Sequence, residues 1–216
     1  MANIPVRIPK NFLQQEVEDV FNGQIPEKHE LEQYFWTSKI VRTILDATQY
    51  LYSECCCLAT PSLAHLYHES GNDQVLLDID IRFNYLPRFE RFDIISPHSP
   101  NGAGNFEILV IDPPFCGITT DQLYKATERI TGGNHNTKII IAYLIRYEHA
   151  LLKSFKSYGI SETATKLEYA GVKANKWGNF ALYSNVDLPG IKRIPGKYGY
   201  RGKNHNDLMY SRVHNE

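Results

Sequence analysis

Apolar residues recur at helical spacing between residues 32 and 52, at Phe35, Ile40, Ile44, Leu45 and Leu51. That periodicity predicts a helix opening near Thr37 or Ser38 as N-cap. Beyond it, short apolar runs alternate with amphipathic stretches. Runs at 55–59, 75–79, 92–96 and 106–111 predict strands, as does the continuous apolar segment 138–145. The last of these has the pattern of a strand buried on both faces. Helical patterns fall at 62–69, 119–131 and 147–158, the last two followed by Gly132-Gly133 and Gly159. Two final strands are predicted at 165–169 and 180–186, joined by a connection containing Gly171 and Gly178. Alternation of this kind predicts an α/β fold with a mainly parallel twisted sheet, helices on both faces and an antiparallel edge hairpin.

The ends of the chain read differently. Residues 1–30 mix Pro, Gly and acids with a short amphipathic segment from Phe12 to Phe21, the pattern of an N-terminal extension. Residues 31–190 carry the predicted domain. Residues 191–216 form a basic tail, with Lys192, Arg193, Lys197, Arg201, Lys203 and Arg212 set among Tyr198, Tyr200 and Tyr210.

Composition narrows the class. The chain has 216 residues, 43% hydrophobic and 22% charged, which excludes a disordered or collagen-like chain. Net charge is −1, so any contact with nucleic acid must come from a local patch. No apolar run reaches the roughly 18–20 residues of a membrane helix. Residues 1–10 lack a signal-peptide apolar core. The expectation is a cytoplasmic protein, with the nucleus or nucleolus as the other compartment open to it. Cys55, Cys56, Cys57 and Cys116 have neither disulfide-framework nor zinc-finger spacing, and they read as reduced, buried thiols. No metal site is expected.

One motif carries chemistry. Asp112-Pro113-Pro114-Phe115 follows the apolar run 106–111, where an α/β sheet places its active site. Each proline holds the preceding residue extended and removes an N–H. What remains is a stiff set of acceptors, the Asp112 carboxylate and the Pro113 carbonyl, beside an aromatic ring. Such a set suits a planar amino group: both N–H bonds are accepted and Phe115 stacks on the attached ring. Accepting both hydrogens exposes the nitrogen lone pair to an electrophilic methyl and stabilises the developing positive charge. Upstream, Asp78 and Asp80 end the strand at 75–79, where an acid commonly binds a ribose. Against this, the first strand is followed by Ala59-Thr60-Pro61-Ser62, without the usual glycine loop.

Taken in order, Gln33-Tyr34-Phe35-Trp36, Thr60-Pro61, Leu77-Asp78-Ile79-Asp80 with Arg82-Phe83, and Asp112-Pro113-Pro114-Phe115 resemble one S-adenosylmethionine-dependent N-methyltransferase family. It unites zinc-finger CCHC-containing ribosomal-RNA adenine-N6 methyltransferases with lysine methyltransferases of translation elongation factor eEF1A. The resemblance covers about residues 31–190, and the family also lacks a regular glycine loop. It implies a Rossmann-like class I methyltransferase fold and S-adenosyl-L-methionine as cofactor. It implies that Gln33, Tyr34, Phe35 and Trp36 wall the cofactor site, with the Thr60-Pro61 turn below. Asp80, with Asp78 nearby, would hold the ribose, and Ser96 and its neighbours the adenine ring. Asp112, Pro113, Pro114 and Phe115 would form the catalytic loop, with Asp112 touching cofactor as well.

The leading expectation is adenine-N6 methylation of ribosomal RNA on a single-stranded or flipped base. The alternative is lysine methylation of the elongation factor. Gly117, Tyr147-Glu148 and Gly199-Tyr200-Arg201 resemble the RNA branch, whereas Leu123–Glu128 resembles the lysine branch. The RNA branch's zinc fingers are absent, and the basic tail is the candidate substitute through phosphate contact and stacking. A methyltransferase fold kept only for binding is the non-enzymatic alternative.

Overall fold

The computed structural model describes residues 18–196. Most of the expected extension, and the Tyr198, Tyr200 and Tyr210 portion of the basic tail, lie outside the described residues.

Helix α1 (Ser38–Thr48) starts after Thr37 and buries Ile40, Val41, Ile44 and Leu45 along one face. Strand β1 (Cys55–Leu58) leads into α2 (Pro61–Glu69), with Pro61 in the first turn, where a missing N–H costs nothing. Strands β2 (Val75–Asp78) and β3 (Phe89–Arg91) follow, then β4 (Ile108–Ile111). Helix α3 (Thr120–Thr131) opens with a capping box between Thr119 and Gln122 and closes on Gly132 at φ 58°. Strand β5 (Lys138–Leu144), helix α4 (Glu148–Ser154) and strands β6 (Ser161–Glu162) and β7 (Phe180–Ser184) complete the order.

The seven strands form one sheet, ordered β3-β2-β1-β4-β5-β7-β6. Strands β1 to β5 pair parallel; β7 runs antiparallel against both β5 and β6. Every residue of β1, β2 and β4 is buried, so helices cover both faces, as the continuous apolar runs predict. Cys55, Cys56 and Cys57 lie within that core, and burial pushes the Cys56 and Cys57 thiols well up. Cys116 departs from expectation, because it is exposed.

Two predicted strands are absent, each because the backbone finds another partner. At 92–96 the last sheet contact is Phe92 N–H donating to the Asp78 carbonyl at 2.9 Å. The Asp93 carboxylate then accepts from Ile95 N–H at 2.8 Å and turns the chain away. At 165–169 the backbone pairs with the residues before α1 instead of the sheet. Thr37 N–H donates to the Glu168 carbonyl, and Ala170 N–H to the Phe35 carbonyl. The edge strand β6 comes earlier, at Ser161–Glu162. The helix expected at 147–158 is confined to Glu148–Ser154, preceded by a 3-10 turn at Ile145–Tyr147.

The turn after β1 answers the missing glycine. Ala59 adopts φ 52°, a left-handed conformation that costs an L-residue roughly 1–2 kcal/mol. Its N–H donates to the Leu77 carbonyl at 2.9 Å, which holds it there. Ala59→Gly removes that strain at the expense of a looser unfolded chain. We expect a net gain of roughly 0.5–1 kcal/mol in urea unfolding; a loss would mean that the alanine methyl packs usefully.

Candidate active site

The strands β1, β2, β3 and β4 end on the same side of the sheet, and the chain turns outward between β1 and β4. That is the switch point where open α/β sheets bind ligands. A cavity of about 270 Å³ lies there. Its floor comes from Leu58 to Ser62 after β1, Leu77 to Ile79 after β2, Phe92 to Ile95 after β3, and Asp112 to Phe115 after β4. Its roof is a strap, Glu30 to Phe35, laid across from the chain before α1.

Of the residues expected here, the cavity brings together Gln33, Tyr34, Phe35, Thr60, Pro61, Asp78, Asp112, Pro113, Pro114 and Phe115. It does not include Trp36, Asp80 or Ser96. Trp36 is 1% exposed and packs into the core. Ser96 lies one residue past the lining segment, on the exposed side of the turn.

The two aspartates after β2 differ sharply. Asp80 is occupied by the protein itself: Arg82 Nη2 donates to Oδ2 at 2.6 Å and Lys28 Nζ to Oδ1 at 3.2 Å. Gln33 Nε2 also donates to Oδ2, at 3.3 Å. Desolvation pushes its carboxyl up, but the Arg82 and Lys28 contacts outweigh that and hold it at about 2. Asp80 therefore anchors the strap. Arg82 extends the anchor, donating to the Pro26 carbonyl at 2.9 Å and to Gln33 Oε1 at 2.9 Å. Asp78 is the acid that faces the cavity. It is 6% exposed, and its Oδ1 accepts the Asp80 N–H at 2.8 Å, with the Ile79 N–H also close to the carboxylate. Burial pushes its carboxyl up to about 7, with the Asp80 charge adding to the shift and backbone N–H donors opposing it.

On the opposite wall, burial raises the Asp112 carboxyl well above the usual carboxylate range. Its Oδ1 accepts a hydrogen bond from the Tyr169 hydroxyl at 2.8 Å, which favours the charged form. Phe115 does not present a free face. It is 8% exposed and packs against Phe180, Tyr143 and Tyr169 with ring centroids 5.3, 6.0 and 6.4 Å away. Stacking of Phe115 on an acceptor ring is thus not set up in this conformation; the ring instead braces the loop. Among the described residues no cluster of His, Cys, Asp and Glu has the geometry to hold a metal ion. No helix there is long and apolar enough to cross a membrane.

Three contributors escape sequence reasoning. Tyr169 stands far downstream of Asp112 in a segment whose pattern reads as a strand. Lys28 falls in the stretch read as an extension, although Phe21 is already buried against Phe35 at 4.9 Å. Glu27 accepts the Phe35 N–H at 2.7 Å, and a Cβ on Gly171 would lie 2.0 Å from its Oε2. Only the glycine itself was a signal. Gly171→Ala should evict the Glu27 carboxylate and loosen the strap, weakening ligand binding in the cavity several-fold. In a Glu27→Ala background the same change should add nothing, and an additive effect by calorimetry would place its cause elsewhere.

This strand order, with an acid after β2 and the Asp-Pro-Pro-Phe loop after β4, defines a Rossmann-like methyltransferase architecture. A model of the family described as "Probable N6-adenine methyltransferase" matches residues 27–188. The chain belongs to that family. No curated protein matches it. Among solved structures, the CMeT domain of the citrinin polyketide synthase is 12% identical, with 63% of this chain and 47% of that one covered, TM-score 0.38. The chain therefore spans about half the length of that protein. Precorrin-6y C5,15-methyltransferase from Geobacter metallireducens is 9% identical, covering 78% and 97%, TM-score 0.47. A branched-chain polyamine synthase mutein from Thermus thermophilus is 16% identical, covering 86% and 66%, TM-score 0.48.

Proposed function

We propose that the chain is an S-adenosyl-L-methionine-dependent N-methyltransferase whose acceptor is the N6 amino group of adenine in RNA, ribosomal RNA first among candidates. The observation that carries this reading is that Asp78 and the Asp112–Phe115 loop share one cavity, each at the C-terminal end of its own parallel strand.

The donor set fits the cofactor. A buried carboxylate at Asp78 accepts from a ribose diol, and Ile79, Phe92 and Ile94 offer apolar walls to an adenine ring. The strap, with Gln33, Tyr34 and Phe35, shields the cavity from water. Bound there, the cofactor supplies an electrophilic methyl on sulfur. The chain's own contribution lies at the acceptor. Asp112 and the Pro113 carbonyl accept the two amino hydrogens, orient the nitrogen and stabilise the positive charge it gains. The N–H dipoles of the incoming amine favour the ionised form of Asp112 against the desolvation that raises it.

A second reading is lysine methylation, on eEF1A as the candidate protein. It is supported by the same desolvated carboxylate, which could accept a proton from a lysine amine, with the Tyr169 ring beside it as a cation–π surface. Lysine transfer should rise steeply between about pH 7 and 9, because only neutral amine reacts. Adenine transfer should be flatter.

The test uses tritium-labelled S-adenosylmethionine with a ribosome and cytosol extract, and Asp112→Ala as blank. Label released by nuclease supports the RNA reading; label released by protease moves lysine to first place. No label above the blank, in a chain that also fails to bind the cofactor by calorimetry, would leave a binding-only fold.

A further inference from the structure

The geometry points to Tyr169 as the residue that positions Asp112 for transfer, through the 2.8 Å hydrogen bond from its hydroxyl to Asp112 Oδ1. This inference rests on the proposed role of Asp112.

The bond is built from three parts of the chain. Asp112 follows β4, where its backbone N–H donates to the Leu58 carbonyl at 3.2 Å. Tyr169 is 1% exposed and has one bridge, antiparallel to Trp36, just behind the strap. Phe180, at the start of β7, packs on the Tyr169 ring at 4.7 Å, and Phe115 meets the same ring nearly edge-on at 89°. The phenol therefore has little freedom to swing away. The Trp177 indole N–H donates to the Tyr169 carbonyl at 3.0 Å and fixes the backbone as well.

The chemical consequence follows from the acceptor inventory. A carboxylate has two oxygens, and free rotation would let either face the substrate. With Oδ1 committed to Tyr169, Oδ2 alone is left for the substrate amine, next to the Pro113 carbonyl. The phenol is a donor here, because burial and the Asp112 charge keep it protonated. A donor on Oδ1 also favours the charged carboxylate that the reaction needs. Among the described residues, the groups that face this pair are few: the Tyr169 hydroxyl is the hydrogen-bond partner of the Asp112 carboxyl, and the Trp36 indole lies near the phenol without making a hydrogen bond.

The test titrates the Asp112 carboxyl by isotope-edited infrared spectroscopy, its band assigned by loss in Asp112→Asn. Tyr169→Phe should move the midpoint to higher pH. It should also lower kcat about 10–100-fold, move the acid limb of the rate profile the same way, and leave cofactor affinity within twofold. If Tyr169→Phe does not fold, 3-fluorotyrosine at position 169, a stronger donor, should move the midpoint to lower pH. An unmoved midpoint overturns the inference whether or not the chain is active. A moved midpoint with unchanged kcat overturns the positioning role and leaves the methyltransferase reading standing. A wild-type chain that methylates nothing overturns that reading, and with it the consequence claimed for Tyr169.

Discussion

Asp112→Ala should lower methyl transfer by about 10²–10³-fold while cofactor affinity stays within about threefold, because the lost group stabilises charge at the acceptor. Asp112 is set apart from Asp78, the acid proposed to face the ribose: it follows β4 whereas Asp78 ends β2, and β1 lies between those strands. Truncating it should therefore remove an acceptor without emptying the cofactor cradle. Asp112→Asn should fall less, by roughly tenfold, since the amide keeps one acceptor oxygen. That oxygen must serve both Tyr169 and the substrate, so the loss should appear in kcat more than in KM. Single-turnover transfer together with calorimetry separates the two effects. Equal losses in affinity and rate would instead mean that Asp112 chiefly holds cofactor.

Asp78→Asn should act in opposite directions on stability and binding. The Asp78 carboxyl is raised to about 7 in the folded chain. An unfolded aspartate titrates near 3.9. Between those values the folded chain holds a proton that the unfolded chain has released, so stability falls as pH rises through this window. Below about pH 4 both states are protonated and no penalty exists; above about pH 7 it is complete. Asp78→Asn removes the titration. The ligand-free variant should be more stable than wild type at pH 8, by an amount on the order of 2–4 kcal/mol, and nearly equal to it at pH 4. Cofactor binding should weaken about 10–100-fold at pH 8, the value of a charge-assisted hydrogen bond. Wild-type affinity should itself decline as pH drops below about 7, whereas the variant's should not. Urea unfolding at the two pH values and calorimetry across the range check both halves. A variant less stable than wild type at pH 8 would show that Asp78 is held by partners that offset its burial.

Much of this was legible in the chain itself. The apolar runs that became β1, β2, β4 and β5 are continuous because those strands are covered on both faces, and that burial leaves a direct mark on composition. The capping box at Thr119 and the stop at Gly132 are local chemistry, so they too could be read, whereas Thr37 marks the start of α1 without a side-chain cap. The Asp-Pro-Pro-Phe loop was legible because two adjacent prolines stiffen a backbone whatever surrounds them.

Other features depended on partners remote in sequence. Residues 165–169 have a strand's pattern, yet they pair with the strap, and no local signal names a partner more than a hundred positions away. Asp78 and Asp80 are two positions apart with the same chemistry. Only the placement of Arg82 and Lys28 decides that one anchors the strap while the other faces the cavity. Ala59 takes a conformation usually left to glycine because the Leu77 carbonyl holds it there. Local propensity and pattern thus determined the buried strands β1, β2, β4 and β5, the helices and the stiff Asp112–Phe115 loop. The tertiary structure decided which acid faces the cavity, which way Phe115 faces, and that the Tyr169 hydroxyl bonds Asp112, because each depends on long-range contacts and desolvation that exist only once the chain is packed.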